Sequence, residues 1–175
     1  SSDALVKIME KEGFESEIFQ DIESGLKQLD TGIYDLLTLN TLRWSMQNGE
    51  KYEPYRDQWA LTLSRFGQQI IWRFLEKGGG ILALHTAAIC FDHWHEWGKI
   101  LGAHWIWGKS FHPPYGKIFV KSGEDSHYIN KDFKDFEIND EVYSNLKLEK
   151  DTIPLIYAKS ESHENWNPVV WAREV

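Results

Sequence analysis

One short stretch limits the fold of this chain more than any other. A helical pattern ends near Lys77, glycines occupy 78–80, and the apolar run 81–84 leads directly into His85 and Thr86. Four apolar residues between a glycine turn and a polar segment are typical of a short strand that is covered on both faces. A helix before this strand and a second helical pattern after it predict an α/β fold.

The rest of the chain continues this alternation. The patterns predict helices from the N-terminus to Gly13 and over 21–29, 59–77 and 88–101, and strands over 14–18, 34–39, 117–120, 141–148, 153–158 and 169–172. Such alternation favours a largely parallel sheet between two helical layers. We therefore predict one domain over 1–175, a three-layer sandwich with a mostly parallel sheet. Because no strand precedes the first helix and the chain stops in a strand-like segment, we expect the first strand and the C-terminal end to be missing.

Composition and charge argue against several classes of protein. Hydrophobic residues make up 42% and charged residues 26% of the chain, as in ordinary globular proteins. The net charge of −8, without a cluster of Lys and Arg, argues against nucleic-acid binding. Cys90 is the only cysteine and cannot form an internal disulfide. No apolar run approaches the roughly 20 residues that span a bilayer, so we expect a cytoplasmic protein that does not bind membranes.

His85 and Thr86 are the first candidate site residues. Ligands of open α/β sheets bind beyond the carboxyl ends of the strands, and backbone N–H groups at a helix start favour polar or anionic groups. A histidine at this turn can act as an acid, a base or a metal ligand near neutral pH. It can equally be a buried histidine that hydrogen-bonds to the backbone.

Four ordered stretches resemble the ThuA-like, or trehalose-utilisation, family. They are 78–87 (GGGILALHTA), Leu101-Gly102-Ala103 with His112-Pro113, His127 with 136–143 (FEINDEVY), and 168–173 (PVVWAR). The resemblance implies a flavodoxin-like fold related to the class I glutamine amidotransferases. It also implies a role in the use of trehalose or of a related disaccharide or keto-sugar.

The same resemblance argues against amidotransferase chemistry. In the amidotransferases, the turn after the corresponding strand holds a nucleophilic cysteine. Here His85 stands at that position, and Cys90 follows five residues later. Without a thiolate at the turn, the covalent glutaminase mechanism has no nucleophile. If the protein is an enzyme, we expect acid/base chemistry on a carbohydrate.

Further candidates come from the second half of the chain. With the resemblance, Glu141 is a candidate acid/base or substrate-binding group; without it, Asp140 and Glu141 are equally well a solvated acidic edge. On a strand, Tyr143 would share the face of Glu141. His112 lies in a His-Pro-Pro loop that either presents it to a cleft or is a simple turn. The predicted catalytic residues are His85, His112 and Glu141, and the predicted substrate-binding residues are Thr86, Asp140, His127 and Tyr143.

No metal site is predicted, and the cofactor stays unknown. His93 and His95 are two residues apart, which separates their side chains by about 200° on a helix. A divalent ion held by His85, His112 and Glu141 is compatible with the fold, but no recognised ligand spacing demands it.

Three functions remain open from the sequence. The first is an enzyme that acts on a small carbohydrate, and the second is a non-catalytic carbohydrate-binding or regulatory domain on the same scaffold. The third is a structural subunit of a homo-oligomer. Nine tryptophans suit either an aromatic sugar-binding cleft or a subunit interface.

Overall fold

The computed structural model describes residues 2–123 and 127–175, which divide into two compact units, Ser1–Trp94 and His95–Val175. The first unit contains helices α1 (Ser2–Lys11), α2 (Ile22–Leu29), α3 (Arg56–Trp59) and α4 (Arg65–Glu76), strands β1 (Leu36–Leu39) and β2 (Gly80–Ala83), and 3-10 turns at Glu50–Tyr55 and His85–Ala88. The second contains α5 (His95–Leu101) and strands β3 (Ala103–His104), β4 (Gly116–Ser122), β5 (Phe136–Asp140), β6 (Lys147–Leu148), β7 (Ile153–Ser160) and β8 (Asn167–Ala172). The prediction of one domain over 1–175 stays a prediction.

Side-chain caps decide where the helices α2 and α4 begin. The Asp21 carboxylate accepts a hydrogen bond from the Ser24 N–H at 2.8 Å, and the Ser64 hydroxyl accepts one from the Gly67 N–H at 2.9 Å. Such caps satisfy N–H groups that have no partner within the helix. The predicted helix over 59–77 therefore starts only at Arg65, since Ser64 is its cap.

Apolar side chains of α2 and α4 form the core of the first unit. Ile70 and Ile71 of α4 are fully buried, and Phe74 and the α2 residues Leu26 and Leu29 are nearly so. Their spacing places them on one face of each helix, which is the pattern of a helix that packs along one stripe. The core side of α4 could therefore be read from the sequence.

Among the described residues, a parallel pair of strands occurs in the first unit alone. β1 and β2 pair in register, with Leu37 opposite Ile81 and Leu39 opposite Ala83. The segment 14–18, predicted as a strand, belongs to no strand. A strand requires backbone hydrogen bonds to a neighbour, and within 2–123 and 127–175 no segment pairs with it.

The second unit is built on a four-stranded antiparallel sheet in the order β5-β4-β7-β8. Its inner face packs Ile118, Val120 and Ala158 against Val142. β3 and β6 form a separate antiparallel pair. Helices and sheets are both present, so the α/β prediction is confirmed at that level.

The structure differs from the predicted mostly parallel sheet. From β4 to β8, the part of the chain that the structure describes contains strands and loops but no helix. Parallel pairing needs a long crossover, usually helical, whereas direct connections give antiparallel pairs. Two predicted elements are also shorter than expected: helix 88–101 is reduced to α5, and strand 141–148 to β6.

No helix in the described residues is long and apolar enough to cross a membrane.

Candidate functional site

His85 lies on a strained turn directly after β2. Its φ angle is 47°, in the left-handed region that residues with a side chain seldom adopt. The Leu84 N–H still donates to the Leu39 carbonyl at 2.9 Å, and the 3-10 turn begins at His85 itself. Surrounding structure must hold such strain, which is concentrated at functional sites. Met46, Phe91 and Asn145 also have positive φ angles, so it is the position of His85 at the carboxyl end of a parallel strand that makes it a candidate.

Thr86 and Cys90 both bond to the carbonyl oxygen of Thr41. The Thr86 hydroxyl donates to it at 2.7 Å and the Cys90 thiol at 3.4 Å, while the Cys90 sulfur accepts from the Arg43 N–H at 3.2 Å. Burial raises the pKa of the Cys90 thiol to about 11. The thiol is therefore protonated near neutral pH and cannot act as a nucleophile. The Thr86 hydroxyl hydrogen is thus already used in a bond to the backbone. The predicted substrate-binding role of Thr86 stays a prediction.

Two charged residues beyond β1 were not predicted as site residues. The Arg43 guanidinium lies over the Trp59 ring, 4.5 Å from its centroid. The Asp92 carboxylate accepts from the N–H and the hydroxyl of Ser45, both at 2.8 Å, and so fixes the loop that carries Arg43. The sequence could have indicated Arg43 as a site residue, because it follows the predicted strand 34–39 and ligands bind beyond the carboxyl ends of parallel strands.

A cleft with a volume of about 620 Å³ runs beside β1. Its walls come from α1, the segment 14–21, α2 and β1, and Thr41 and Arg43 form part of its lining at the carboxyl end of the strand. The lining includes apolar side chains such as Met9 and Ile18. The first unit therefore offers an open cleft with an arginine in its lining.

His112, Glu141 and Tyr143 come together in the second unit. The His112 Nδ1 atom lies 3.5 Å from the Glu141 Oε1 atom, and the His112 ring stacks on the Tyr143 ring with a centroid distance of 5.9 Å. The Trp105 ring meets Tyr143 edge-on at 5.0 Å. Asp140 is the last residue of β5, and its carboxylate accepts from the Glu141 N–H at 2.8 Å.

The surroundings of His112 fix its neutral tautomer. Nδ1 approaches two acceptors, the Pro113 carbonyl oxygen at 3.1 Å and the Glu141 carboxylate. Because an acceptor oxygen needs a donor opposite it, the hydrogen of the neutral ring belongs on Nδ1. Nε2 then carries the lone pair. The His112 side chain is 44% exposed.

Two indole groups beside this cluster have unsatisfied donors. The Nε1 atoms of Trp105 and Trp107 are buried and make no hydrogen bond to any described residue. The two rings meet edge-on at 6.1 Å. A buried donor without an acceptor costs about 1–3 kcal/mol, so these two indole groups lower the stability of the folded unit.

His127 takes part in a turn. Its Nδ1 atom accepts from the Ile129 N–H at 3.2 Å, and its ring packs on Tyr128 with a centroid distance of 4.4 Å. The backbone N–H of His127 donates to the Asn130 side chain. The predicted substrate-binding role of His127 stays a prediction.

A second histidine–carboxylate pair in this unit was not predicted. The His104 Nε2 atom lies 2.6 Å from the Glu149 Oε1 atom, and the His104 side chain is only 8% exposed. This hydrogen bond holds the pKa of Glu149 below its usual value. A Cβ atom on Gly98 would overlap the His104 ring, so the glycine of α5 makes room for the pair. Its burial indicates a structural role.

The described residues contain no group of three or more His, Cys, Asp or Glu side chains arranged to hold a metal ion. The second unit instead offers an imidazole, a carboxylate and aromatic rings. This combination can exchange protons and bind hydroxyl groups without further ligands.

Comparison with known proteins decides the family. The sequence model of the family ThuA, described as trehalose utilisation, matches residues 2–175. The chain belongs to the ThuA family. A crystal structure of a protein described as ThuA-like, from Bacteroides uniformis, superposes with a TM-score of 0.68 at 17% sequence identity. The match covers 99% of this chain and 69% of that one, and at this identity it shows the fold alone. No curated protein matches the chain.

In this ThuA-family chain, the predicted residues fall into two groups. His85 and Thr86 belong to the first unit, and the others belong to the second. The structure brings together His112, Glu141 and Tyr143. The prediction that His85 acts with them on one ligand stays a prediction.

Proposed function

We propose that this ThuA-family protein acts on a sugar during the utilisation of trehalose or of a related disaccharide or keto-sugar, and that His112 is its acid/base group. One observation carries the proposal: Nδ1 faces the Pro113 carbonyl and the Glu141 carboxylate, which leaves Nε2 as a base. Nε2 can take a proton from a sugar hydroxyl or a water, and the adjacent carboxylate stabilises the imidazolium that forms.

The aromatic rings beside His112 support a carbohydrate ligand. Tyr143 stacks on the imidazole and Trp105 meets Tyr143, so an apolar surface lies next to polar groups. Sugars present a C–H face and a rim of hydroxyls, which fit a site of this mixed character. A small carbohydrate is therefore the proposed ligand; nucleic acid and membranes are not proposed.

His85 is the candidate polar group of the first unit. His85 is held on a strained turn at a strand end, where the glutamine amidotransferase-like scaffold implied by the resemblance carries its nucleophile. We propose an acid/base or hydroxyl-binding role for it, in a cytoplasmic protein of flavodoxin-like fold. Amidotransfer is not proposed, because Cys90 is buried and protonated.

The second candidate function is carbohydrate binding or regulation without catalysis. The buried, hydrogen-bonded Cys90 favours it, since a scaffold without its nucleophile is what a repurposed fold would show. A homo-oligomer is compatible with either function.

The test follows turnover and binding separately. Trehalose, related disaccharides and their keto derivatives are incubated with the protein, and products are followed by NMR. His112→Asn, which lacks Nε2, should lower turnover by roughly 100-fold or more with little loss of binding. Glu141→Gln should lower it by roughly tenfold. Glu137→Gln, a matched change at an exposed carboxylate of β5, should leave turnover unchanged.

Each result separates the candidates. Binding without turnover of any sugar would replace the acid/base proposal by the binding function. Unchanged turnover in His112→Asn would remove His112 from the chemistry. If no sugar binds or reacts, both candidate functions fail.

A further inference from the structure

The outer face of the antiparallel sheet carries lysines and aromatic rings in alternation. On β4, Lys117, Phe119 and Lys121 alternate with the buried Ile118 and Val120, so they lie on the face opposite the core. The register places Lys159 of β7 directly opposite Phe119, and Tyr157 opposite Lys121. This face is therefore a mixed cationic and aromatic surface.

Two of its lysines converge on one ring. The Nζ atom of Lys121 lies 4.4 Å from the centroid of the Trp166 ring, and the Nζ atom of Lys159 lies 5.3 Å from the same centroid. Cation–π attraction holds both ammonium groups near the ring. Both positive charges therefore lie within 5.3 Å of the centroid of one ring.

These two lysines differ from a third on the same face. Lys117 lies 2.6 Å from the Glu137 carboxylate, a contact that raises the pKa of Lys117. Neither Lys121 nor Lys159 forms an ion pair with a carboxylate in 2–123 or 127–175. Two lysines without a carboxylate partner among the described residues are notable in a chain whose net charge is −8.

We propose that Lys121, Lys159 and Trp166 form a binding site for a phosphorylated sugar. The phosphate, with a charge between −1.5 and −2 near neutral pH, matches two ammonium groups better than a single carboxylate does. Tyr157, beside Lys121, adds an aromatic surface for the sugar ring. The site is separate in its residues from the His112 cluster and does not rest on the proposed acid/base role.

A small ligand fits this face better than a nucleic acid does. A nucleic-acid surface tracks many phosphates with a stripe of cations, whereas on this face, within 2–123 and 127–175, two lysines lack a carboxylate partner.

The site is tested by titration of the full chain with glucose 6-phosphate, inorganic phosphate and glucose, followed by the NMR signal of the Trp166 indole. Trp166→Phe assigns the signal. Lys121→Gln and Lys159→Gln should each weaken glucose 6-phosphate binding roughly tenfold, and the double variant should abolish it. Lys117→Gln is the control on the same strand and should change the affinity by less than about twofold.

The outcomes are distinct. Glucose 6-phosphate binding that is tighter than that of phosphate, with no binding of glucose, supports the proposal. Equal binding of inorganic phosphate and glucose 6-phosphate overturns the sugar part and leaves an oxyanion site. If neither binds, or if Lys117→Gln weakens binding as much as Lys121→Gln, the site is wrong. Circular dichroism checks that each variant is folded.

Discussion

His85 and His112 are two candidate histidines held by different means, one in each unit. The backbone holds His85 in place. Its φ angle is 47°, and the hydroxyl of the neighbouring Thr86 donates a hydrogen bond to the Thr41 carbonyl. His112 is fixed through its side chain, by the Pro113 carbonyl and the Glu141 carboxylate. Backbone strain costs stability whether or not a ligand is bound, whereas an exposed side-chain pair costs little. The two units should therefore respond differently to substitution.

The largest expected effect tests how tightly the second unit is packed. Gly98→Ala places a methyl group in the His104 ring, which Glu149 holds from the other side. We expect a loss of about 3 kcal/mol in the free energy of unfolding, because overpacking is combined with a broken buried hydrogen bond. Urea unfolding followed by circular dichroism measures it.

Gly67→Ala of the first unit is the matched control. Its added Cβ would lie 2.9 Å from the Leu63 Cδ1 atom, the flexible end of a side chain that can move aside. The gain in helix propensity from Gly to Ala, about 1 kcal/mol, offsets part of the clash. Equal losses in the two variants would show that the His104–Glu149 pair adds no rigidity.

The next effect concerns the only thiol of the chain. Because burial raises the pKa of Cys90 to about 11 from an ordinary value of 9.0, the thiolate fraction below pH 9 falls by roughly 100-fold. Iodoacetamide should therefore modify the native protein at pH 8 at least 100-fold more slowly than the urea-unfolded protein. Rapid modification of the native protein would contradict the assignment of Cys90 as inert and reopen a nucleophilic role.

A smaller effect compares the two histidines directly. His85→Gly keeps the backbone conformation without strain, so it should stabilise the protein by up to about 1 kcal/mol relative to His85→Ala. The same pair of substitutions at His112, measured by thermal unfolding, should show no advantage for glycine. If His85→Gly is no more stable than His85→Ala, strain does not distinguish the His85 turn.

The sequence predicted those features that depend on local chemistry. The helix at α4, the helix over 21–29 and the strand before His85 were all visible, because one segment contains the whole signal. Glu141 and Tyr143 were predicted to share one face of a strand; the structure has no strand there, although both residues contact His112.

Features that depend on partners distant in the chain were missed. The prediction of parallel strands was wrong for the second unit. Apolar runs show where a strand lies but not which strand it pairs with, and β4 pairs antiparallel with β7. The His104–Glu149 pair joins residues 45 positions apart. The Asp92 clamp on Ser45 likewise joins residues 47 positions apart, and nothing in either local sequence indicates the other.

The smallest expected effect is a pH dependence that belongs to the second unit alone. The hydrogen bond from His104 holds the folded-state pKa of Glu149 below 4.5, its ordinary value. A carboxyl group with a lowered pKa stabilises the folded state above its unfolded pKa, and this contribution is lost as the pH falls through the folded pKa. Glu149→Gln should therefore flatten the loss of stability below about pH 4.5. Asp151→Asn, at an exposed carboxylate two residues away, is the control. Thermal unfolding from pH 3 to pH 7 measures both variants. If the loss of stability at low pH is unchanged in Glu149→Gln but smaller in Asp151→Asn, the acid sensitivity belongs to the surface pair of Asp151 with Arg173.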